Sequence, residues 1–289
     1  MDAVTRSAIG AALGTPVTGL EPLGGGDIND AHAATLADGR RVFVKTNASA
    51  DPRMFPAEAR GLDWLRDAGA LRIPAVLAVS SGKASEPAFL ALEYLEPAPH
   101  GRGFDEELGR GLAAMHRYGA ASFGLEIPNF IGRLPQSNTP AGSWPEFFRD
   151  QRLEPQLRLA ERSGRAARSL RAKLERLYAR LDDLVGPAEL PARLHGDLWG
   201  GNLHSDAAGA PCLVDPAAYG GHREIDLAMM KLFGGFGPRV FAAYEEAHPL
   251  AAGHEERVEL YQLYPLFVHL NLFGEGYLAS VERAVTRYV

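Results

Sequence analysis

The chain has 289 residues, 46% of them hydrophobic and 23% charged, and 36 acidic side chains against 30 basic ones give a net charge of −6. Such a chain is long enough for one large or two compact domains, and its composition excludes wholesale disorder. The acidic balance argues against a nucleic-acid or anionic-membrane binder. The single cysteine, Cys212, excludes an internal disulfide or a paired-cysteine metal site, and no apolar run reaches the ~20 residues of a membrane helix. The first residues lack a basic stretch leading into an apolar core, so the expectation is a cytoplasmic protein without a signal peptide.

Residues 1–95 read as β-rich with one helix. A strand over 17–23 ends in Gly24-Gly25-Gly26. Strands over 31–36 and 41–45 flank Ala37-Asp38-Gly39-Arg40, and Asp-Gly between two alternating runs predicts a hairpin. Residues 56–68 predict a helix with Leu62, Leu65 and Ala68 on one stripe and Gly69 at its end. Two apolar strands follow over 74–79 and 89–94. Pro97-Ala98-Pro99-His100-Gly101 breaks the chain, which places a domain boundary between 1–96 and 97–289. Beyond it, helices are expected over 104–116, 145–160, 165–185, 224–233, 238–246 and 255–277. A long loop over 122–144 is a candidate functional segment. The layout is α+β: a small β-rich lobe, a hinge and a larger helical lobe, with a cleft between them.

The sharpest segment is Leu194-His195-Gly196-Asp197-Leu198-Trp199-Gly200-Gly201-Asn202, followed by the apolar run Leu213-Val214 and a second acid, Asp215. Phosphoryl transfer needs a carboxylate to orient and deprotonate the attacking hydroxyl, and oxygen ligands that hold Mg²⁺ against nucleotide phosphates. The Asp-to-Asn spacing is that of the protein-kinase catalytic loop. Here Gly196 stands in place of the arginine, and Asp215-Pro216-Ala217 in place of Asp-Phe-Gly, which points toward small-molecule kinases. Upstream, Lys45 ends an alternating strand, as a phosphate-binding lysine would, and Glu58 near the start of the next helix could pair with it. Gly24-Gly25-Gly26-Asp27-Ile28-Asn29 could approach phosphate oxygens through backbone N–H groups. The main chain of Glu93 and Leu95 lies where adenine would be read.

Taken with Phe55 to Leu62, Asn129-Phe130-Ile131-Gly132, and Asp215 through Ala228, these motifs resemble the fructosamine kinase family, also called ketosamine or protein-ribulosamine 3-kinases. Trp199-Gly200-Gly201 is the most discriminating piece, since aminoglycoside-type relatives more often have a His-Pro-Gly version there. The resemblance implies a bilobal protein-kinase-like fold. It implies transfer of the γ-phosphate of ATP to the 3-hydroxyl of a ketosamine, either a small molecule or a glycated protein lysine, in a deglycation enzyme; separately, the chain is expected to be a monomer.

The resemblance also implies the following roles, position by position. Asp197 is the base; Asn202 and Asp215 hold Mg²⁺; Lys45 binds phosphates and Glu58 positions it. The loop from Gly24 to Asn29 covers the phosphates. His195 packs beneath the catalytic loop. Asp226 either braces that loop or is simply a helix-start acid. Trp199 either stacks on the sugar or packs structurally. His222 is a candidate substrate contact without an assigned mechanism, and the 129–138 loop with Trp144 is placed on the acceptor side. Three alternatives stay open: a same-fold kinase with an aminoglycoside- or choline-like acceptor, a nucleotide-binding pseudokinase, and a metal-dependent hydrolase using His195, Asp197, His204 and Asp215.

Overall fold

The computed structural model describes residues 1–24, 28–82 and 86–289. It opens with α1 (Ala3–Leu13), a helix absent from the sequence-based expectation. Asp2 caps it, with Oδ1 accepting the Thr5 N–H at 2.7 Å, and Gly14 ends it in a left-handed turn at φ 69°.

The strands β1 (Val17–Leu23), β2 (Asp30–Leu36) and β3 (Arg41–Thr46), the helix α2 (Met54–Arg66), and the strands β4 (Val76–Ser81) and β5 (Ala88–Glu93) follow. The sheet is antiparallel in the order β1-β2-β3-β5-β4. Its two faces follow from the two-residue period of a strand. Val42 and Val44 of β3 join Ala34, Phe89 and Ala91 in a cluster with Ile9 of α1. Phe43 and Lys45 therefore point to the other face. There Leu90 and Leu92 belong to the same core as Phe55, Leu62 and Leu65 of α2. One lysine is thus carried to the α2 side of the sheet by strand parity.

The remaining chain is mainly helical. In order come α3 (Phe104–Tyr118), β6 (Asn129–Ile131), β7 (Leu134–Gln136), α4 (Trp144–Phe147), a π-helical turn (Phe148–Leu153), α5 (Glu154–Arg162), α6 (Arg168–Tyr178) and α7 (Leu181–Leu184). Then follow β8 (Ala192–Leu194), β9 (Leu203–Ser205), β10 (Pro211–Leu213), β11 (Tyr219–Gly221), α8 (Glu224–Phe233), α9 (Pro238–Ala247), α10 (His254–Phe273) and α11 (Leu278–Thr286).

Several expectations are corrected. The 122–144 segment holds the hairpin β6–β7. The helix expected over 145–160 contains the π-helical turn, and that over 165–185 breaks between α6 and α7. The helix expected over 255–277 stops at Phe273, because Gly274 takes φ 99°, and α11 follows it.

The two short pairs β9–β10 and β8–β11 carry the site. One precedes the second acid of the motif; the other carries the chain into and away from it. Arg72 links this region to the large sheet: its carbonyl accepts the Leu213 N–H at 3.0 Å, and its guanidinium pairs with Glu93.

Candidate active site

Lys45 sits at the end of β3 with its side chain 6% exposed. Its Nζ donates to Glu58 Oε1 of α2 at 2.7 Å and to Asp215 Oδ1. Burial works against the ammonium, but the two carboxylates outweigh it and hold Lys45 above its ordinary value. Burial also raises Glu58, against the pull of Lys45 and with a push from Asp215. One buried cation thus ties the large sheet to α2 and to the segment that follows β10. Asp215 is the one non-glycine among the described residues with a left-handed backbone, at φ 55°. Such a conformation costs on the order of 1 kcal/mol or more and persists only where the surroundings impose it. Here it turns a half-exposed carboxylate toward Lys45.

Residues 195–202 form a loop held from beneath. Asp226, in the first turn of α8, is 1% exposed, and its carboxylate accepts the His195 N–H at 2.8 Å and the Gly196 N–H at 2.9 Å. His116 of α3 contacts the same carboxylate at 3.2 Å. His195 donates through Nε2 to the Val214 carbonyl at 2.9 Å, so Nδ1 is the acceptor for the Asp197 N–H at 3.3 Å. Burial lowers the His195 pKa, against the opposing pull of Asp226, which favours a neutral ring. Gly196 has φ 81°, and a Cβ there would lie 2.2 Å from the Ala217 carbonyl oxygen.

Each residue of Trp199-Gly200-Gly201 has its own constraint. A Cβ on Gly200 would meet Gly235 at 2.9 Å, and one on Gly201 would meet the Trp199 ring at 2.2 Å. Trp199 is 42% exposed at the cleft wall, so it is not a buried structural tryptophan.

Asp197 rises from this loop. Asn202 Nδ2 donates to its carbonyl at 2.8 Å and to its Oδ2 at 3.2 Å, and reaches the Asp215 carbonyl at 3.4 Å. Burial pushes the Asp197 pKa up to about 7, partly offset by Asn202 and reinforced by Asp215 and Asp226. A carboxyl with that value can exchange a proton near neutral pH. Asp197, Asn202, Asp215, Lys45 and Glu58 all face one cleft of about 550 Å³. Glu93, Tyr94 and Leu95 form its wall beside the sheet; Phe130, Trp199, His269 and Phe273 form the wall on the helical side.

The fructosamine kinase family model matches residues 1–289, the whole chain. The chain belongs to the fructosamine kinase family. It is 38% identical over 283 residues to the chloroplastic protein-ribulosamine 3-kinase of Arabidopsis thaliana, covering 95% of this chain and 84% of that protein. A crystal structure assigned as a fructosamine-3-kinase from Thermobifida fusca superposes with a TM-score of 0.89 at 38% identity, over 98% of this chain and 97% of that one. A choline kinase of Streptococcus pneumoniae, at 18% identity and a TM-score of 0.65 over 98% and 96% of the two chains, shares the fold. The fold is thus the bilobal, protein-kinase-like α+β one.

Within this fructosamine kinase chain the cleft gathers most of the residues singled out by sequence. Gly24, Ile28 and Asn29 lie at its edge, and Asn47 Nδ2 donates to the Ile28 carbonyl and to Asn29 Oδ1, both at 3.0 Å. Gly25, Gly26 and Asp27 lie outside the described residues. The position of Asp226 beneath two loop amides favours the brace over a plain helix-start acid.

Two expectations are corrected. His222 is 2% exposed, with its ring stacked on Tyr261 at 5.3 Å, and it lies in the core behind the site rather than in the cleft. Trp144 is likewise buried, donating Nε1–H to the Tyr261 hydroxyl at 3.1 Å, so it packs the core and does not face an acceptor. Sequence reasoning missed His116, His269 and Arg152. His116 and Arg152 are buried polar residues inside apolar helical patterns, and that mismatch was the available signal.

Proposed function

We propose that this chain transfers the γ-phosphoryl group of ATP to the 3-hydroxyl of a ketosamine, borne by a small amine or by a glycated protein lysine, and so initiates deglycation. The observation that carries the reading is the half-buried Asp197 carboxyl, held by Asn202 in the same cleft as the Lys45–Glu58–Asp215 cluster. In the transfer, Asp197 accepts the proton of the sugar hydroxyl, the oxygen bonds to the γ-phosphorus, and ADP leaves with the electrons of the broken P–O bond. Lys45 contacts the phosphates, and Glu58 fixes its position. The backbone of Glu93 and Leu95 reads adenine; the Leu95 N–H has no backbone acceptor among the described residues. Trp199, at the wall beside Asp197, stacks on the sugar.

The chemistry of the donor set fits Mg²⁺ carried in with a nucleotide. Among the described residues no cluster of three His, Cys, Asp or Glu side chains forms a metal cage. Mg²⁺ needs only one or two protein oxygens when phosphates and water supply the rest. Asn202 spends its amide nitrogen on Asp197, which leaves Oδ1 as a ligand, and Asp215 offers the carboxylate oxygen not used by Lys45. Bound there, Mg²⁺ supplies charge neutralisation for the β- and γ-phosphates. The same features speak against the hydrolase alternative, since His195 is fully buried beneath the loop.

ADP release with Mg²⁺-ATP, measured on ribuloselysine, fructoselysine and an aminoglycoside, tests the assignment. Turnover confined to a ketosamine is expected. Turnover confined to the aminoglycoside would overturn the acceptor. The protein acts as a monomer in the cytoplasm on this reading, which rests on sequence expectation.

A further inference from the structure

The left-handed backbone of Asp215 needs something to impose it, and the following residues show what does. The Ala217 N–H donates to the His195 carbonyl at 3.0 Å, pinning the segment to the catalytic loop. Its other side meets a buried layer of amides. Asn129 Nδ2 donates to the Ala218 carbonyl at 2.8 Å, and Gln136 Nε2 to the Ala217 carbonyl at 3.1 Å. Both residues come from the β6–β7 hairpin, where they are register partners. Gln136 Nε2 and Asn138 Nδ2 both donate to Asn129 Oδ1, at 2.8 and 2.9 Å. The Tyr264 hydroxyl of α10 donates to Gln136 Oε1, which fixes the orientation of that amide.

Behind them lies Arg152, fully buried, which the π-helical turn carries inward. It donates to Asn138 Oδ1 at 2.8 Å and to the Ser137 carbonyl at 2.6 Å, and its guanidinium lies 3.7 Å from the centre of the Tyr219 ring. No carboxylate pairs with it among the described residues. A buried cation served only by neutral oxygens and aromatic faces is costly unless each partner is held in place. Satisfying it fixes Asn138, which fixes Asn129, which fixes the segment after Asp215. Such an extensively bonded buried network, in which Arg152 Nε is left without a partner, favours one arrangement.

We infer that Asn129 and Gln136, braced by Asn138, Arg152 and Tyr264, are positioning residues that hold Asp215 in its left-handed conformation with its carboxylate facing the cleft. The hairpin that carries them also presents Phe130 and Ile131 to the cleft. One short element thus both lines the cleft, through Asn129, Phe130 and Ile131, and fixes the metal-binding acid, through Asn129 and Gln136. The inference rests on the reading of Asp215 as a ligand for nucleotide-bound Mg²⁺.

The test uses Asn129→Asp and Gln136→Glu, which keep shape but lose the amide donors, with Tyr264→Phe as the milder variant and Asp215→Asn as comparator. Two readouts are taken: the Mg²⁺ concentration giving half-maximal rate, and the rise in melting temperature given by ADP alone and by ADP with Mg²⁺. The two donor-loss variants should keep the rise from ADP alone, lose most of the further rise from Mg²⁺, and need about ten-fold more Mg²⁺ for half-maximal rate, as expected of residues one shell away from a metal ligand. Tyr264→Phe should shift both readouts less, in the same direction. A lower melting temperature with an unchanged Mg²⁺ increment and unchanged half-maximal Mg²⁺ would reduce these residues to packing and overturn the inference. If Asn129→Asp and Gln136→Glu do not fold, Tyr264→Phe decides alone, and an unshifted Mg²⁺ dependence sinks it. If Asp215→Asn itself leaves the Mg²⁺ increment intact, the reading of Asp215 fails instead.

Discussion

Asp197 and Asp215 are both carboxylates, 18 positions apart in sequence, yet their surroundings separate their tasks. Asp215 is half-exposed and bonded to the Lys45 ammonium; Asp197 is half-buried, with an amide for a partner. Desolvation lifts the latter to about 7, so the free enzyme should gain activity as pH rises through that value. The acidic limb of kcat/KM for ATP is the measurement, and a limb confined to the ordinary carboxylate range would contradict the assignment.

The glycine at 196 answers to shape alone. Gly196→Ala drives a methyl to 2.2 Å from a carbonyl oxygen at φ 81°, and should cost about 2 kcal/mol or more of stability by denaturant unfolding. Lys45→Met removes the cation shared by two carboxylates. Its KM for ATP should rise and its kcat should fall by about two orders of magnitude or more, with Glu58→Gln milder in both respects.

At the scale of elements, what was legible in the sequence had local causes. The alternation of Val42, Phe43, Val44 and Lys45 places the lysine on the α2 face, and Asp38-Gly39 closes the β2–β3 hairpin beside it. The boundaries of α8 are those expected. What was illegible had distant causes or weak local ones. α1 has small and polar residues on much of its surface, and its burial depends on a sheet face that forms later in the chain. The β6–β7 hairpin looks like an irregular Pro- and Gly-containing loop because its order comes from partners such as the Ala218 carbonyl, 89 residues away from Asn129. Phe148–Leu153 reads as plain helix, since a π turn leaves no mark on hydrophobic spacing. For the site itself, the motif singled out Asp197, Asn202 and Asp215, which the fold brings to one cleft. It misjudged His222 and Trp144, whose rings pack inside the core.

Across the whole molecule, burial of neutral imidazoles makes stability depend on pH. His222 is buried among aromatic rings, and desolvation carries its pKa down to about 4 from 6.5. His248 is lowered to about 4 by desolvation and by Arg223. Both are depressed, so the unfolded chain binds the extra protons between those values. Their stability is fully present above pH 6.5 and is lost as pH falls toward 4, with His222 contributing roughly 3 kcal/mol. Denaturant unfolding at pH 7 and pH 5 should show this fall, and His222→Phe, which keeps the ring stack, should flatten it. An equal slope in the variant would place the proton uptake elsewhere.

The central claim is that Asp197 takes the proton of a ketosamine hydroxyl in a site where ATP binds independently of it. The most direct test compares the parent chain with Asp197→Asn, measuring ADP release on ribuloselysine with Mg²⁺-ATP and ATP affinity by calorimetry. The account predicts ketosamine turnover by the parent, a loss of about 10³-fold in kcat in the variant, and ATP affinity within a few-fold of the parent. Parent-like turnover by Asp197→Asn would contradict it.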